Sequence, residues 1–273
     1  MKNVFVSGSF DNLNSRHMRF LHEASHLGRL HVLLWSDEDA MAIDGKAPQF
    51  PQDERLYLLR SIRYTEQAIL SAGHSAVQVR SLLESNTPNL WVVDEKERSG
   101  IDRTSPIPSI ACTSLTADDL AGFPVLEDTE NNPAPSPRKK VIVTGCYDWF
   151  HSGHVRFFEE VAELGDLYVV AGHDANIRLL KGEGHPMFPE AERRYMVQSI
   201  RYVTRALVST GNGWLDAEPE IRIIKPDIYA VNEDGDKPEK RDFCEKHGIK
   251  YVVLKRTPKE GLTRRSSTDL RGF

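Results

Sequence analysis

The chain contains an internal repeat, and this repeat limits the folds that it can adopt. When Val4–Asp11 is aligned with Ile142–Asp148, a glycine, an aromatic residue and an aspartate coincide, and at the same offset His17 aligns with His154. Nearly the same register pairs Leu27-Gly28 with Leu164-Gly165 and Ser61-Ile62-Arg63-Tyr64 with Ser199-Ile200-Arg201-Tyr202. Chance does not easily produce so many matches, so we interpret the chain as two copies of one domain.

Each copy alternates short β-rich segments with helical patterns. This alternation predicts parallel strands joined by crossover helices, and therefore an α/β fold with two tandem doubly wound, Rossmann-like sheets. In the second copy Phe157, Phe158, Val161 and Leu164 form one helical stripe, which Gly165 ends as a cap. The strands of this copy are predicted near residues 141–144, 167–171, 205–208, 227–231 and 250–254.

A polar, proline-rich segment separates the two copies. Residues 127–139 have the composition of an extended linker. At 273 residues the chain is long enough for two domains that each bury a core. We therefore predict one domain over residues 1–126 and a second over residues 140–273.

Charge and cysteine content exclude several classes of function. A net charge of −5 and a pI near 6.1 provide no basic field for a nucleic-acid backbone, so we expect no nucleic-acid partner. Three cysteines without a CxxC pair predict neither a disulfide framework nor a zinc site. The N-terminal apolar run is too short for a signal peptide, and no segment is long enough to cross a bilayer. We therefore expect a cytoplasmic protein without a membrane partner.

Two histidines lie where a strand of the second copy leads into a helix. His151 and His154 follow the strand near 141–144, at the sheet edge where open α/β folds bind ligands. The positive end of a helix and its unpaired N–H groups favour an anion there, and Gly153 has no Cβ to keep a phosphate away. The pattern therefore predicts a phosphate site, the alternative being histidines that only cap the helix or face solvent.

Two further segments add cations and hydroxyl groups to the same copy. Lys181 follows the second strand and is expected at the same sheet edge, where it would neutralise a triphosphate. After the last strand come Arg256-Thr257 and the turn Ser266-Ser267-Thr268, which suit phosphate oxygens. The alternative for this last segment is a polar tail.

Taken together, these residues resemble a known family. Gly145-Cys146-Tyr147-Asp148, followed by His151, Gly153 and His154, is similar to the motif G-x-(F/Y)-D-x-x-H-x-G-H of the nucleotidyltransferase superfamily, which includes cytidylyltransferases for glycerol phosphate, phosphocholine and phosphoethanolamine. The resemblance covers essentially residues 140–271. It extends to Lys181, Glu192-Arg193, Ile200-Arg201-Tyr202-Val203, Lys225-Pro226-Asp227 and a variant of the closing motif R-T-E-G-x-S-T.

The resemblance implies a reaction and a set of site residues. A substrate phosphate would attack the α-phosphorus of a nucleoside triphosphate, usually with Mg²⁺, and release pyrophosphate. His151, His154 and Lys181 would stabilise the charge of the transferring and leaving phosphates. The nucleotide-binding residues implied are Gly145, Cys146, Tyr147, Asp148, Gly153, Arg193, Arg201, Arg256, Thr257, Ser266, Ser267 and Thr268.

Some roles stay open at this point. Arg193 and Arg201 would face the nucleotide or the acceptor phosphate, or else pack on helix surfaces. Asp148 would orient its loop or help to hold the metal ion. Trp214 would form a pocket wall or belong to the core.

The donor and the acceptor are expected from the resemblance as well. We expect CTP as the donor and a small phosphorylated alcohol or polyol as the acceptor. The segment Lys181–Pro186 also resembles the adenylyltransferases of the ADP-heptose pathway, so ATP is the alternative donor. A nucleotide sensor without turnover is the alternative from another class of protein.

The first copy has lost the residues that suit phosphate chemistry. Asn14 aligns with His151, Arg16 with Gly153, and Asp44 with Lys181. An asparagine carries no charge, an arginine fills the space that glycine leaves, and an aspartate repels a triphosphate. We therefore predict a degenerate copy that does not catalyse.

The role of the degenerate copy has two interpretations. It would serve as a packing partner in an intramolecular pseudo-dimer, in place of the homodimer that family members usually form. Alternatively, Arg16, His17 and Arg63 would make it an effector pocket.

Overall fold

A computed structural model describes residues 1–71, 87–96, 110–125, 136–267 and 270. The chain forms two compact units, Met1–Gly122 and Phe123–Phe273. Most of the predicted linker, up to residue 135, lies outside the described residues. None of the helices within the described ranges is long and apolar enough to span a membrane.

The N-terminal unit is built on a parallel five-stranded sheet. Its strands have the order β3-β2-β1-β4-β5, with β1 at the centre. Val4 and Val6 of the central strand are fully buried. The described elements of this unit are β1 (Asn3–Gly8), α1 (Ser15–His26), β2 (Arg29–Leu34), α2 (Asp37–Asp44), α3 (Gln52–Arg60), β3 (Thr65–Leu70), β4 (Leu90–Asp94) and β5 (Ala111–Leu115).

The C-terminal unit has a parallel five-stranded sheet of the same topology, in the order β10-β9-β6-β7-β8. Its elements are β6 (Lys140–Gly145), α4 (Ser152–Leu164), β7 (Asp166–Ala171), α5 (Asp174–Lys181), α6 (Glu190–Gln198), β8 (Val203–Val208), α7 (Glu218–Ile224), β9 (Ile228–Asn232), α8 (Pro238–His247) and β10 (Lys250–Leu254). Short 3₁₀ turns cover Gly213–Leu215 and Glu233–Gly235. The strand order reverses between β6 and β9, which opens a crevice at their carboxyl ends.

The two sheets confirm the predicted α/β, Rossmann-like fold, and each predicted strand of the second copy overlaps an observed one. The predicted helical stripe is largely correct, because Phe157, Phe158 and Val161 of α4 are buried. Leu164 is an exception at 37% exposure.

Gly165 caps the helix as expected, and a Cβ there would lie 2.1 Å from the carbonyl oxygen of Lys139. The close approach of two backbone segments therefore requires this glycine.

A buried carboxylate and a buried guanidinium hold the loops beneath the crevice of the C-terminal unit. Asp148 Oδ1 accepts hydrogen bonds from the N–H groups of Met187 (2.8 Å) and Phe188 (3.0 Å). Arg193 donates to the carbonyl oxygens of residues 146, 172 and 188, and pairs with Asp174 at 2.7 Å. Arg193 is only 1% exposed.

The N-terminal unit contains the same arrangement. Asp11 accepts from the N–H groups of Gln49 and Phe50 at 2.8 and 2.9 Å. Arg55 donates to the carbonyl oxygens of residues 9, 35 and 50, and pairs with Asp37 at 2.6 Å. Because this arrangement exists in a copy without the paired histidines, Asp148 and Arg193 are parts of the framework. The nucleotide-facing role implied for Arg193 is therefore corrected, since its guanidinium is already committed to the protein.

Replacing Arg193 with methionine should destabilise the C-terminal unit by on the order of 3 kcal/mol, because the carbonyl groups that it bonds would lose their donors in a buried place. Urea denaturation of the full chain measures this change. Arg222→Met is the matched control, since Arg222 is 62% exposed and pairs with Glu218 on its own helix. Equal losses in the two variants would contradict the framework role.

Candidate active site at the start of α4

His151 begins α4 as its N-cap. Its backbone is extended, and its Nδ1 atom accepts a hydrogen bond from the N–H of Gly153 at 3.0 Å. This bond leaves Nδ1 without a proton and uses one of the N–H groups that we expected to bind an anion. His151 is only 2% exposed and does not line the cavity described below. His151 therefore caps the helix through Nδ1, as one alternative predicted, while its catalytic role stays a prediction.

His154 stacks on His151, with ring centroids 4.0 Å apart. The rings of Tyr147 and Phe150 lie 5.3 and 5.6 Å away on other sides. Burial lowers the pKa of His154 well below 6.5, and the nearby His151, Arg256 and Lys181 lower this pKa further. Without a ligand His154 is therefore neutral at pH 7. The basic side chains that line the free site are Lys181, Lys240 and Arg256, and Arg256 is paired there with Asp234.

The two glycines of the motif leave space for neighbouring side chains. A Cβ on Gly145 would lie 2.8 Å from the ring of Tyr147, and a Cβ on Gly153 would lie 2.9 Å from the ring of His151. Tyr147 itself has a left-handed backbone, with φ 56°. The glycines thus permit the aromatic stack around His154, a reason that the sequence did not reveal.

A cavity of about 320 Å³ opens at the carboxyl ends of β6 and β9, the place where the strand order reverses. It brings together seven of the residues expected at the site: Gly145, Cys146, Tyr147, Gly153, His154, Lys181 and Arg256. Trp214 also lines the cavity and is 48% exposed, so it is a pocket wall. Sequence reasoning missed the polar residues Thr144, Asn176, Asp216, Asn232, Asp234 and Lys240.

The segment after β10 returns to the start of α4. Arg256 pairs with Asp234 at 2.6 Å and donates to the carbonyl oxygen of Arg265 at 3.0 Å. Ser267 Oγ donates to the carbonyl oxygen of Trp149 at 3.3 Å. Thr257 lines a smaller pocket with Gly153. The closing segment thus contacts the loop that precedes α4, and its closure over a triphosphate stays a prediction.

Arg201, Asp148 and Arg193 do not line the cavity, and the same is true of His151, Thr257, Ser266 and Ser267. Arg201 is exposed and precedes β8, so it lies at the amino ends of the parallel strands, whereas the histidines follow the carboxyl end of β6. Asp148 is 5% exposed and faces His185 at 3.5 Å with its second oxygen, so it orients the loop as one alternative predicted. Arg193 lies beneath the site, as described above. Ser266 lies in the closing segment, and Thr268 falls outside the described residues.

The described part of the chain has no group of three or more histidine, cysteine or acidic residues that would hold a metal ion by itself. Mg²⁺ is usually bound through one or two carboxylates together with substrate phosphates. Two carboxylates, those of Asp216 and Asp234, line the cavity.

The chain matches one family model and is similar to several known proteins. A family model described as cytidylyltransferase-like matches residues 5–103 and 142–272. The FAD synthase of Ferroglobus placidus is 37% identical over 125 residues, which are 45% of this chain and 78% of that protein. The bifunctional protein HldE of Nitratiruptor is 26% identical over 179 residues, 65% of this chain and 36% of that protein. A solved lipopolysaccharide core biosynthesis protein from Thermoplasma volcanium is 26% identical and covers 45% of this chain and 98% of its own, with a TM-score of 0.38.

Lowering the pH from 7 to 5 should destabilise the C-terminal unit. His154 stays neutral in the folded chain, whereas an unfolded histidine takes up a proton below its ordinary pKa of 6.5, so the unfolded state binds more protons in this range. Urea denaturation at pH 5, 6, 7 and 8 measures the effect. His154→Gln should make the free energy of unfolding depend less on pH.

A matched control exists in the other unit. Burial also lowers the pKa of His22, to about 4, so His22→Gln should reduce the pH dependence of the N-terminal unit only. An unchanged pH dependence of the C-terminal unit in His154→Gln would contradict a neutral His154.

Proposed function

Because the chain belongs to the cytidylyltransferase-like family, we propose that its C-terminal unit transfers a nucleoside monophosphate from a nucleoside triphosphate to a small phosphorylated acceptor. One observation carries this proposal: His154, Lys181 and Arg256 converge on a single cavity at the reversal point of the sheet. Two cations beside a buried imidazole suit a chain of phosphates.

The reaction follows from the charge distribution of this cavity. A phosphate oxygen of the acceptor attacks the α-phosphorus, the bond from that phosphorus to the bridging oxygen breaks, and pyrophosphate leaves with the electron pair. Lys181 and Arg256 offset the charge of the triphosphate. The chain therefore acts by positioning and electrostatic stabilisation, without a covalent intermediate.

His154 contributes in a way that depends on the ligand. Its imidazole is neutral in the free site, because burial and the neighbouring cations oppose a positive charge. A bound triphosphate reverses this local field, so its arrival favours the protonated ring. His151 holds the ring of His154 in place through the stack at 4.0 Å.

The identity of the nucleotide has two candidates, each supported by a separate observation. The FAD synthase relatives favour ATP, because FAD contains an adenylate half. The variant closing motif at Arg256 and Ser266-Ser267 favours CTP by its similarity to cytidylyltransferases. We adopt ATP as the first donor to test. Pyrophosphate release with ATP and with CTP, each combined with glycerol 3-phosphate, sugar phosphates and FMN, decides between the donors.

His154→Ala should lower turnover by on the order of 10² or more, the scale for removing one preorganised contact to a developing negative charge. His17→Ala, the aligned change in the first copy, should leave turnover within about twofold because no transfer takes place there. Pyrophosphate release measures both variants. Equal losses would contradict the assignment, and tight nucleotide binding without turnover in the wild type would favour a sensor.

For the N-terminal unit we propose a framework role without catalysis. Asn14 Oδ1 accepts from the N–H of His17 at 3.1 Å, and His17 Nδ1 accepts from the N–H of Asn14 at 3.2 Å. His17 is thus engaged in capping its own helix. Arg16 forms a two-point ion pair with Asp94, at 2.6 and 2.8 Å, so an internal carboxylate occupies the guanidinium. Both features argue against the alternative of an effector pocket at Arg16.

Calorimetric titration of the full chain with ATP or CTP should give one bound nucleotide per chain, and Lys181→Ala should weaken this binding by at least tenfold. The reason is that Arg16 already has an anionic partner, while Lys181 forms no ion pair among the described residues. Two sites per chain, or binding that Arg16→Ala abolishes, would overturn the proposed division of roles.

A further inference from the structure

The cavity has a second wall that the phosphate-binding groups do not use. Asp216, Asn232 and Lys240 lie on three different segments: the chain after the Gly213–Leu215 turn, the end of β9, and α8. We refer to these three residues as the polar wall. Their side chains line the same cavity as His154.

Lys240 is the most unusual member of the polar wall. It is only 7% exposed, and its ammonium group donates to Thr144 Oγ1 at 3.2 Å. Thr144 Oγ1 in turn shares a hydrogen bond with Tyr229 OH at 2.8 Å, and the ammonium lies 5.6 Å from the centre of that ring. Within the described ranges, Thr144 is the one hydrogen-bond acceptor that the ammonium contacts. A buried ammonium has three donors, so two are left for a group inside the cavity.

Asp216 and Asn232 provide complementary groups. Asp216 Oδ2 accepts from Ser209 Oγ at 2.7 Å, while its other oxygen makes no hydrogen bond to the described residues. Burial lowers the pKa of Lys240, and the nearby Asp216 carboxylate opposes this shift, although the two residues do not form an ion pair. The side-chain amide of Asn232 likewise has no hydrogen-bond partner in the described part of the chain.

The neighbouring turn is held firmly, so this part of the cavity is preorganised. Asn176 of α5 accepts from the N–H of Gly213 at 2.7 Å and donates to its carbonyl oxygen at 3.1 Å. The turn carries Trp214, and the ammonium of Lys237 lies 4.8 Å from the centre of the indole. The α5 helix, which ends at Lys181, therefore also holds the turn that lies beside the polar wall.

We propose that the polar wall binds the hydroxyl groups of the acceptor, which is therefore a sugar phosphate. This inference rests on the proposed nucleotidyl transfer. A hydroxyl group accepts from the Lys240 ammonium and donates to the Asp216 carboxylate at the same time. A second anion would be repelled by Asp216, and a quaternary ammonium by Lys240. Neutral hydroxyl groups satisfy both residues.

Binding of phosphate monoesters to the full chain tests this proposal. The probes are ribose 5-phosphate, glucose 1-phosphate and mannose 1-phosphate, compared with phosphocholine and FMN by calorimetric titration. The wild type should bind at least one sugar phosphate at least tenfold more tightly than phosphocholine or FMN. Lys240→Met should remove that preference and leave the affinity for ATP within about twofold.

Two further variants keep the test decisive. Asp216→Asn keeps the size of the side chain and should weaken sugar phosphate binding at least fivefold, which covers the case in which Lys240→Met fails to fold. Lys246→Met is the matched control, because this exposed lysine lies in the last turn of the same helix and does not line the cavity. Its affinities should equal those of the wild type.

The outcomes separate this inference from the proposed reaction. Tightest binding of FMN or phosphocholine, no binding of any sugar phosphate, or an unchanged preference in both Lys240→Met and Asp216→Asn would overturn the inference. Pyrophosphate release with FMN as acceptor, unaffected by Lys240→Met, would leave the reaction standing and reject the polar wall. Sugar phosphate binding that depends on Lys240, without pyrophosphate release from any triphosphate, would support the polar wall and reject the reaction.

Discussion

The hydrogen bond from the N–H of Gly153 to His151 Nδ1 is the contact on which the proposed site depends. It begins α4 and fixes the plane of the His151 ring, on which His154 stacks at 4.0 Å. Gly153 is required because a Cβ would lie 2.9 Å from the His151 ring. One local interaction thus orients a buried imidazole toward the cavity, where Lys181 forms no ion pair with the described residues and Arg256 is paired with Asp234.

The two units share a fold but differ at the residues that we propose for the chemistry. Each has a parallel sheet of the same topology, and each holds its first loop by one buried aspartate and one buried arginine: Asp148 with Arg193, or Asp11 with Arg55. The differences lie at the start of the first helix. There the N-terminal unit has Asn14 and Arg16, and the guanidinium is held by Asp94. A common framework can therefore carry the proposed phosphate-binding group in one unit and an internal ion pair in the other.

Much of this architecture could be predicted from sequence, for physical reasons. Strand positions follow from short β-rich segments, and the positions of His154 and Lys181 follow from the rule that the carboxyl ends of parallel strands share one edge. The polar wall could not be predicted, because Lys240 lies on a helix whose inward face depends on packing against Tyr229 and Thr144. Arg193 was misjudged because a motif shows which residue is present and not where its side chain points. The presence of Arg55 at the matching place of the N-terminal unit, where the paired histidines are absent, was a signal of its structural role.

We propose that one triphosphate binds in the C-terminal unit, against His154, Lys181 and Arg256. A crystal structure of the full chain with α,β-methylene-ATP tests this proposal most directly. We expect phosphate oxygens within hydrogen-bonding distance of His154 Nε2 and Lys181 Nζ, with no nucleotide beside Arg16. A nucleotide bound in the N-terminal unit, or phosphates directed away from His154 and Lys181, would contradict it.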